Sequence, residues 1–214
     1  MKGKLLTFEA GEGAGKSTHI ALLNKALEEH GFSTVQIREP GGTTLGERIR
    51  YTLKHDDTVT ICSEAELLLF NASRAQLVND VINPALEEGK IVLCDRFYDS
   101  SMAYQGYARG IGAEKTKQII NFATRGLRPD LTFFIDCPFE KGLENVTKAT
   151  NRKQYDRLDL EKKEFHENVI KGFKTIIENE PERFLVVPYI DNGIERMQKV
   201  MKQELYDRFG MYLK

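Results

Sequence analysis

Residues Lys4 to Ser17 read Lys4-Leu5-Leu6-Thr7-Phe8-Glu9-Ala10-Gly11-Glu12-Gly13-Ala14-Gly15-Lys16-Ser17, and this stretch decides the fold. Its first part, KLLTFE, is a short run of strand formers that breaks into a glycine-dense loop. Lys16 to His30 then has the apolar spacing of a helix, with Ile20, Leu23 and Leu27 on one face and Gly31 as its stop. Between strand and helix, Ala10 to Ser17 nearly matches the phosphate-binding pattern G-x-x-x-x-G-K-[S/T]. Glycines let the backbone curl until successive N–H groups face one anion, and the helix start adds its positive dipole end. Lys16 is placed to reach the β- and γ-phosphates, and the Ser17 hydroxyl to ligate Mg²⁺. The motif implies a bound nucleoside triphosphate on residues Ala10, Gly11, Glu12, Gly13, Ala14, Gly15, Lys16, Ser17 and Thr18. Ala10 stands where the pattern has its first glycine, so the turn there must tolerate a β-carbon.

Working outward, further strands are expected at residues 34–38, 91–94, 131–136 and 184–189, separated by helical patterns. One helix should cover Thr44 to Lys54, and a longer one should begin near Ser63, where Ser63 and Glu66 form a capping-box pattern. Strands alternating with helices imply an α/β fold: a five-stranded parallel sheet with helices on both faces. Ligands then gather past the carboxyl ends of the strands, after Glu9, Arg38, Cys94 and Asp136.

The 214 residues fit a single domain, 1–214. A net charge of −1 gives no overall field for nucleic acid or anionic membrane, so anion binding must come from local clusters. Cys62, Cys94 and Cys137 have no metal-type spacing and read as small apolar residues of a reducing compartment. With no signal peptide or membrane span in the pattern, a cytoplasmic protein is expected. Residues 148–159 (KATNRKQYDRLD) are polar and basic, and read as an exposed flap between two helices.

After the third strand, Asp95 and Arg96 leave the sheet together. Asp95 suits a metal or its water, and Arg96 suits the phosphates where charge shifts during transfer. A switch GTPase would show D-x-x-G and N-K-x-D motifs, and neither occurs at a matching place.

Five segments together resemble the thymidylate kinase family: FEAGEGAGKST at Phe8 to Thr18, REPGGT at Arg38 to Thr43, ELLLFNASRAQ at Glu66 to Gln76, DRFYDSSMAYQGYARG at Asp95 to Gly110, and DRLD at Asp156 to Asp159. The resemblance implies a P-loop kinase fold with small lid and substrate-binding segments, moving the γ-phosphate of ATP to dTMP with Mg²⁺. It implies that Phe70 stacks on thymine while Arg74 reaches a base carbonyl; the residues alone read Phe70 as core. It implies that Arg50 and Arg96 grip the acceptor phosphate, and that Ser101 and Gln105 read the base edge. Ser100 belongs to the same acceptor segment. Tyr104 would crowd a 2′-hydroxyl, Glu12 would meet the 3′-hydroxyl, and Glu39-Pro40 would turn the chain into the cleft, as a plain turn proline or a cis peptide.

Some members of the family carry an arginine inside the phosphate loop; here Gly13 occupies that position. The resemblance is to the bacterial type, in which catalytic arginines sit in the lid, and implies that lid closure brings Arg152, Arg157 or both over the moving phosphate. Adenine contacts are expected near Pro188 to Asn192, with Arg152 stacking on the base, and the family implies a homodimer. Two rival readings stand beside the kinase of dTMP. A deoxynucleoside kinase would need a carboxylate base such as Glu39, whereas Arg50 favours an acceptor that already carries phosphate. A regulatory nucleotide-binding module would bind without transferring phosphate.

Overall fold

In the computed structural model the described residues are 2–148, 157–158 and 161–213. Five strands, β1 (Lys4–Ala10), β2 (Thr34–Arg38), β3 (Ile91–Asp95), β4 (Leu131–Asp136) and β5 (Phe184–Pro188), form one parallel sheet in the order β2-β3-β1-β4-β5. The helices are α1 (Lys16–Glu29), α2 (Thr44–Lys54), α3 (Ser63–Leu77), α4 (Asn83–Glu87), α5 (Tyr98–Ser101), α6 (Ala113–Thr124), α7 (Phe139–Lys148), α8 (Lys163–Asn179) and α9 (Ile194–Phe209). Two π-helical stretches, Val78–Ile82 and Met102–Ala108, continue α3 and α5.

Alternation along the strands explains why both faces are covered. Successive side chains point to opposite sides of a sheet, so Leu6 and Phe8 join Leu23 and Leu27 of α1 and Met201 of α9 in one core. Leu5, together with Val92 and Cys94 of β3, packs instead with Leu77, Val78 and Phe97. Each such side chain fully removed from water contributes about 1.5–3 kcal/mol of transfer free energy. β1 is central, with β3 on one side and β4 on the other, so the order in which strands are added reverses beside it while all of them stay parallel. A crevice therefore opens at its carboxyl end, where the phosphate loop lies.

The expected strands and α2 agree with the structure to within one residue at each end. The capping box does not form. Cys62 rather than Ser63 precedes the first turn of α3, no side chain caps it, and Glu66 is buried with other partners. Cys94 and Cys137 are buried and unpaired as expected, whereas Cys62 is exposed. No helix among the described residues is long and apolar enough to cross a membrane.

Candidate active site

The phosphate loop leaves β1 at Ala10, which lies inside the strand, fully buried, with its β-carbon accommodated there. Left-handed backbone falls instead on Gly13 (φ 68°) and Gly15 (φ 83°), where glycine carries no steric cost. Gly13 has a second reason to be glycine: a β-carbon there would overlap the carbonyl of Gly142 on α7. Asn145, one turn later on α7, donates to the Gly13 carbonyl (3.0 Å) and to the Tyr189 hydroxyl (3.0 Å). The 188–192 segment proposed for adenine therefore abuts the loop through Tyr189.

Lys16 begins α1 and is 8% exposed, its Nζ 3.4 Å from the Gly11 carbonyl. Burial, and then the neighbouring Arg96, hold its pKa below the ordinary lysine value. Ser17 donates its hydroxyl to Asp95 Oδ2 (2.9 Å), so an oxygen pair from α1 and β3 stands at the mouth of the loop. Loop residues 12–18, Arg50, Asp95 and Arg96 line one cavity. A second is lined by Phe70, Arg74, Ser100, Ser101, Tyr104 and Gln105, with the cis Glu39-Pro40 peptide and Leu158. Glu12, Glu39 and Arg96 belong to both walls.

Arg96 is the junction. Its backbone lies in the left-handed region (φ 66°), unfavourable for a residue with a β-carbon. That turn sends the guanidinium back over the loop. Nη1 donates to the Ala10 carbonyl (3.0 Å) and to Ser100 Oγ (3.2 Å), and Nη2 to Glu12 (2.5 Å). The guanidinium also lies over the Tyr104 ring at 5.4 Å.

The base end is equally held. Phe70 is half-buried on the wall of the cavity, so core packing does not claim it. Arg74 is 1% exposed and donates to Glu39 (2.8 Å), Asn71 (2.8 Å), the Phe97 carbonyl (3.2 Å) and Ser101 Oγ (3.0 Å). Ser101 thus serves Arg74 as well as lining the cavity. Among the described residues Glu39 Oε1 is buried with no hydrogen-bond partner, and burial raises this carboxyl's pKa against the pull of Arg74. Arg50 donates to the Pro40 carbonyl (3.0 Å).

The lid residues divide. Arg152 lies outside the described residues. Arg157 sits not at the phosphate loop but on α3's end of the cleft, where it donates to Glu66 (2.6 Å) and to the Ile61 carbonyl (3.3 Å).

One participant escaped the sequence reading. Glu9 is the next-to-last residue of β1, fully buried, and accepts from the backbone of Phe97 (2.8 Å) and Ser100 (3.2 Å) and from Ser100 Oγ (2.6 Å). It thereby fastens the turn that carries Arg96. The available signal was a carboxylate inside a parallel-sheet strand, a placement that needs partners.

Burial raises the Glu9 pKa to about 7, with Arg96 opposing and Asp99 assisting the rise. The raised value fixes two signs. The folded state holds this proton more tightly than the unfolded state, so its contribution to stability is full in acid and is lost as pH rises through about 7. Activity should run the other way, because Ser100, which contacts Arg96, donates to the Glu9 carboxylate. Acceptor kcat/KM should show an acid limb near pH 7 that Glu9→Gln removes. A limb near pH 7 surviving in Glu9→Gln would assign it elsewhere.

A family model described as thymidylate kinase matches residues 8–200. The chain is 42% identical over 213 residues to a thymidylate kinase of Thermoanaerobacter sp. (strain X514), covering 100% of both chains. It is 43% identical over 206 residues to one from Protochlamydia amoebophila (strain UWE25), covering 94% of this chain and 92% of that one. The crystal structure of thymidylate kinase from Ehrlichia chaffeensis superposes with a TM-score of 0.77 at 32% identity, covering 94% of this chain and 97% of that one.

Proposed function

The chain belongs to the thymidylate kinase family, and on that premise we propose how its residues carry out the reaction. The protein is an ATP-dependent nucleoside monophosphate kinase that transfers the γ-phosphate of ATP to dTMP, giving dTDP and ADP. In our reading, residues 1–214 act as one kinase domain. The supporting observation is the shared wall: Arg96 and Glu12 border both the phosphate-loop cavity and the cavity of Phe70, Arg74 and Gln105. A donor phosphate and an acceptor phosphate placed in the two cavities meet at one guanidinium.

The residues then divide the work. Backbone N–H groups of the loop and Lys16 hold the triphosphate, while Arg50 and Arg96 hold the acceptor phosphate in line with it. Phe70 and Tyr104 fix base and sugar, and Arg74 with Gln105 reads the base. Glu12, tied to Arg96, faces the sugar. Phosphoryl transfer demands little covalent work from the protein, so alignment and positive charge supply the rate.

Ser17 and Asp95 would hold Mg²⁺. Their adjacent oxygens form the hard, sparse donor set that this ion accepts when substrate phosphates complete its shell. When bound, it would neutralise charge on the phosphates. The lid arginines are proposed to close over the γ-phosphate, and Arg157 must leave Glu66 to do so. A homodimer fits the exposed apolar side chains Leu45 and Tyr51 on α2, Leu68 on α3 and Phe122, 87% exposed, on α6. The cytoplasm, where ATP is abundant, is the proposed location.

A screen of monophosphates by ADP release tests the reading. Turnover of dTMP should exceed that of dUMP, dCMP and AMP, and equal or better turnover of another would reject the substrate. Turnover of nucleosides in place of monophosphates would instead favour the deoxynucleoside kinase.

A further inference from the structure

Glu66 is a carboxylate with 1% exposure that stands behind the acceptor cavity rather than in its wall. Three side chains from two other segments converge on it. Gln105 Nε2 donates to Oε1 (2.8 Å), Arg109 donates to Oε1 and Oε2 (3.2 and 3.3 Å), and Arg157 donates to Oε2 (2.6 Å). Arg109 is itself fixed by Glu161 (2.7 Å) and lies over the Phe165 ring at 4.6 Å. A buried carboxylate is costly unless it is paired and hydrogen-bonded, and two guanidinium groups meet that condition.

The consequence falls on Gln105. An amide is nearly symmetric in shape, so packing alone does not decide which end is nitrogen. A carboxylate whose two oxygens already receive two arginines accepts hydrogen bonds, and therefore decides it. With Nε2 committed to Glu66, the carbonyl oxygen is the end that Gln105 offers to the cavity it lines. An acceptor there matches the N3–H of a thymine or uracil ring and opposes the N3 lone pair of cytosine. Turning the amide over would set its oxygen against Glu66 Oε1.

We propose that Glu66 is a specificity-determining positioning residue, which selects imide bases by locking the orientation of the Gln105 amide. The inference rests on the reading of this cavity as the dTMP site. Arg157 also ends on Glu66 and Leu158 joins the cavity wall, and when Arg157 leaves for the phosphates Arg109 still pairs with the carboxylate that holds Gln105.

The test is Glu66→Gln, which keeps the volume but can present either end to Gln105. The ratio of kcat/KM for dTMP over dCMP should fall about tenfold or more, since one mispaired buried hydrogen bond discriminates by about ten- to a hundredfold. The KM for ATP should not move. In a Gln105→Met background, Glu66→Gln should add no further loss of selectivity, because the two residues act as one unit. A second measurement does not depend on the variant folding. In the wild-type protein with dTMP bound, one Gln105 side-chain amide proton should be shifted and slow to exchange by NMR. A dTMP:dCMP ratio unchanged within about twofold, an equal loss on both acceptors, or a fast-exchanging Gln105 amide would overturn the proposal. Wild-type protein that ignores dTMP would overturn the substrate reading first, and visibly so before any variant is made.

Discussion

Lys16→Ala is expected to lose about 10³-fold in kcat, the scale of removing one preorganised charge from a site of developing charge. The loss should come without loss of fold. Lys16 is buried at the start of α1 with its Nζ only 3.4 Å from a single carbonyl, and burial with Arg96 pulls its pKa down. In the absence of nucleotide, the attraction of Glu12, Asp95 and Glu9 only partly offsets that burial, so removing Lys16 should leave Tm level or slightly raised. A bound triphosphate would reverse the balance, because its oxygens add counter-charge to that of the carboxylates. The variant should therefore gain less thermal stabilisation from ATP than the wild type does. Activity within about tenfold of wild type would remove Lys16 from the transfer step.

The second large effect is at Arg96, where rate and stability should both fall but can be separated. Arg96→Ala removes a guanidinium at the junction of the two cavities, and an arginine on a moving phosphoryl group is worth about 10³-fold or more. It also takes one partner from Glu12 and a neighbour from Glu9, 3.9 Å away. Breaking a buried pair costs about 3–5 kcal/mol when the remaining charge cannot neutralise. Glu9 can neutralise, since its pKa is already near 7, so the cost should shrink as pH is lowered through that value. Arg96→Gly should be as inactive as Arg96→Ala. Yet it should be more stable by about 1 kcal/mol, because glycine relieves the left-handed backbone. Equal melting temperatures for the two variants would show that the turn carries no strain.

The fold was legible because its signals are local. A strand, a glycine loop and a helix within 30 residues specify the phosphate site, and apolar runs of five to seven residues mark the strands. The acceptor side was legible only through family resemblance. Phe70 sits in an apolar run that alone reads as core, and only the structure puts its ring on a cavity wall. Glu66 was misread for an instructive reason. Ser63 and Glu66 have the spacing of a cap, but two arginines and a glutamine more than 35 residues away offered better partners. Glu9 was hidden in the same way, since its contacts come from residues 97 and 100, brought near by strand pairing. Long-range polar partners leave no periodicity in a sequence. The π-helical stretches also went unseen, because their residues match ordinary helix patterns.

The contact between Gly13 and Gly142 bears on how one arrangement of catalytic charge could turn into another. A side chain at position 13 overlaps the carbonyl of Gly142, and one at 142 overlaps that of Glu12. Moving an arginine from lid to loop is therefore not a single substitution. Helix α7 would have to draw back first, giving up the Asn145 bond to the loop, before any side chain at position 13 could be tried. The two glycines therefore constrain each other, and neither position can take a side chain unless α7 and the loop move apart.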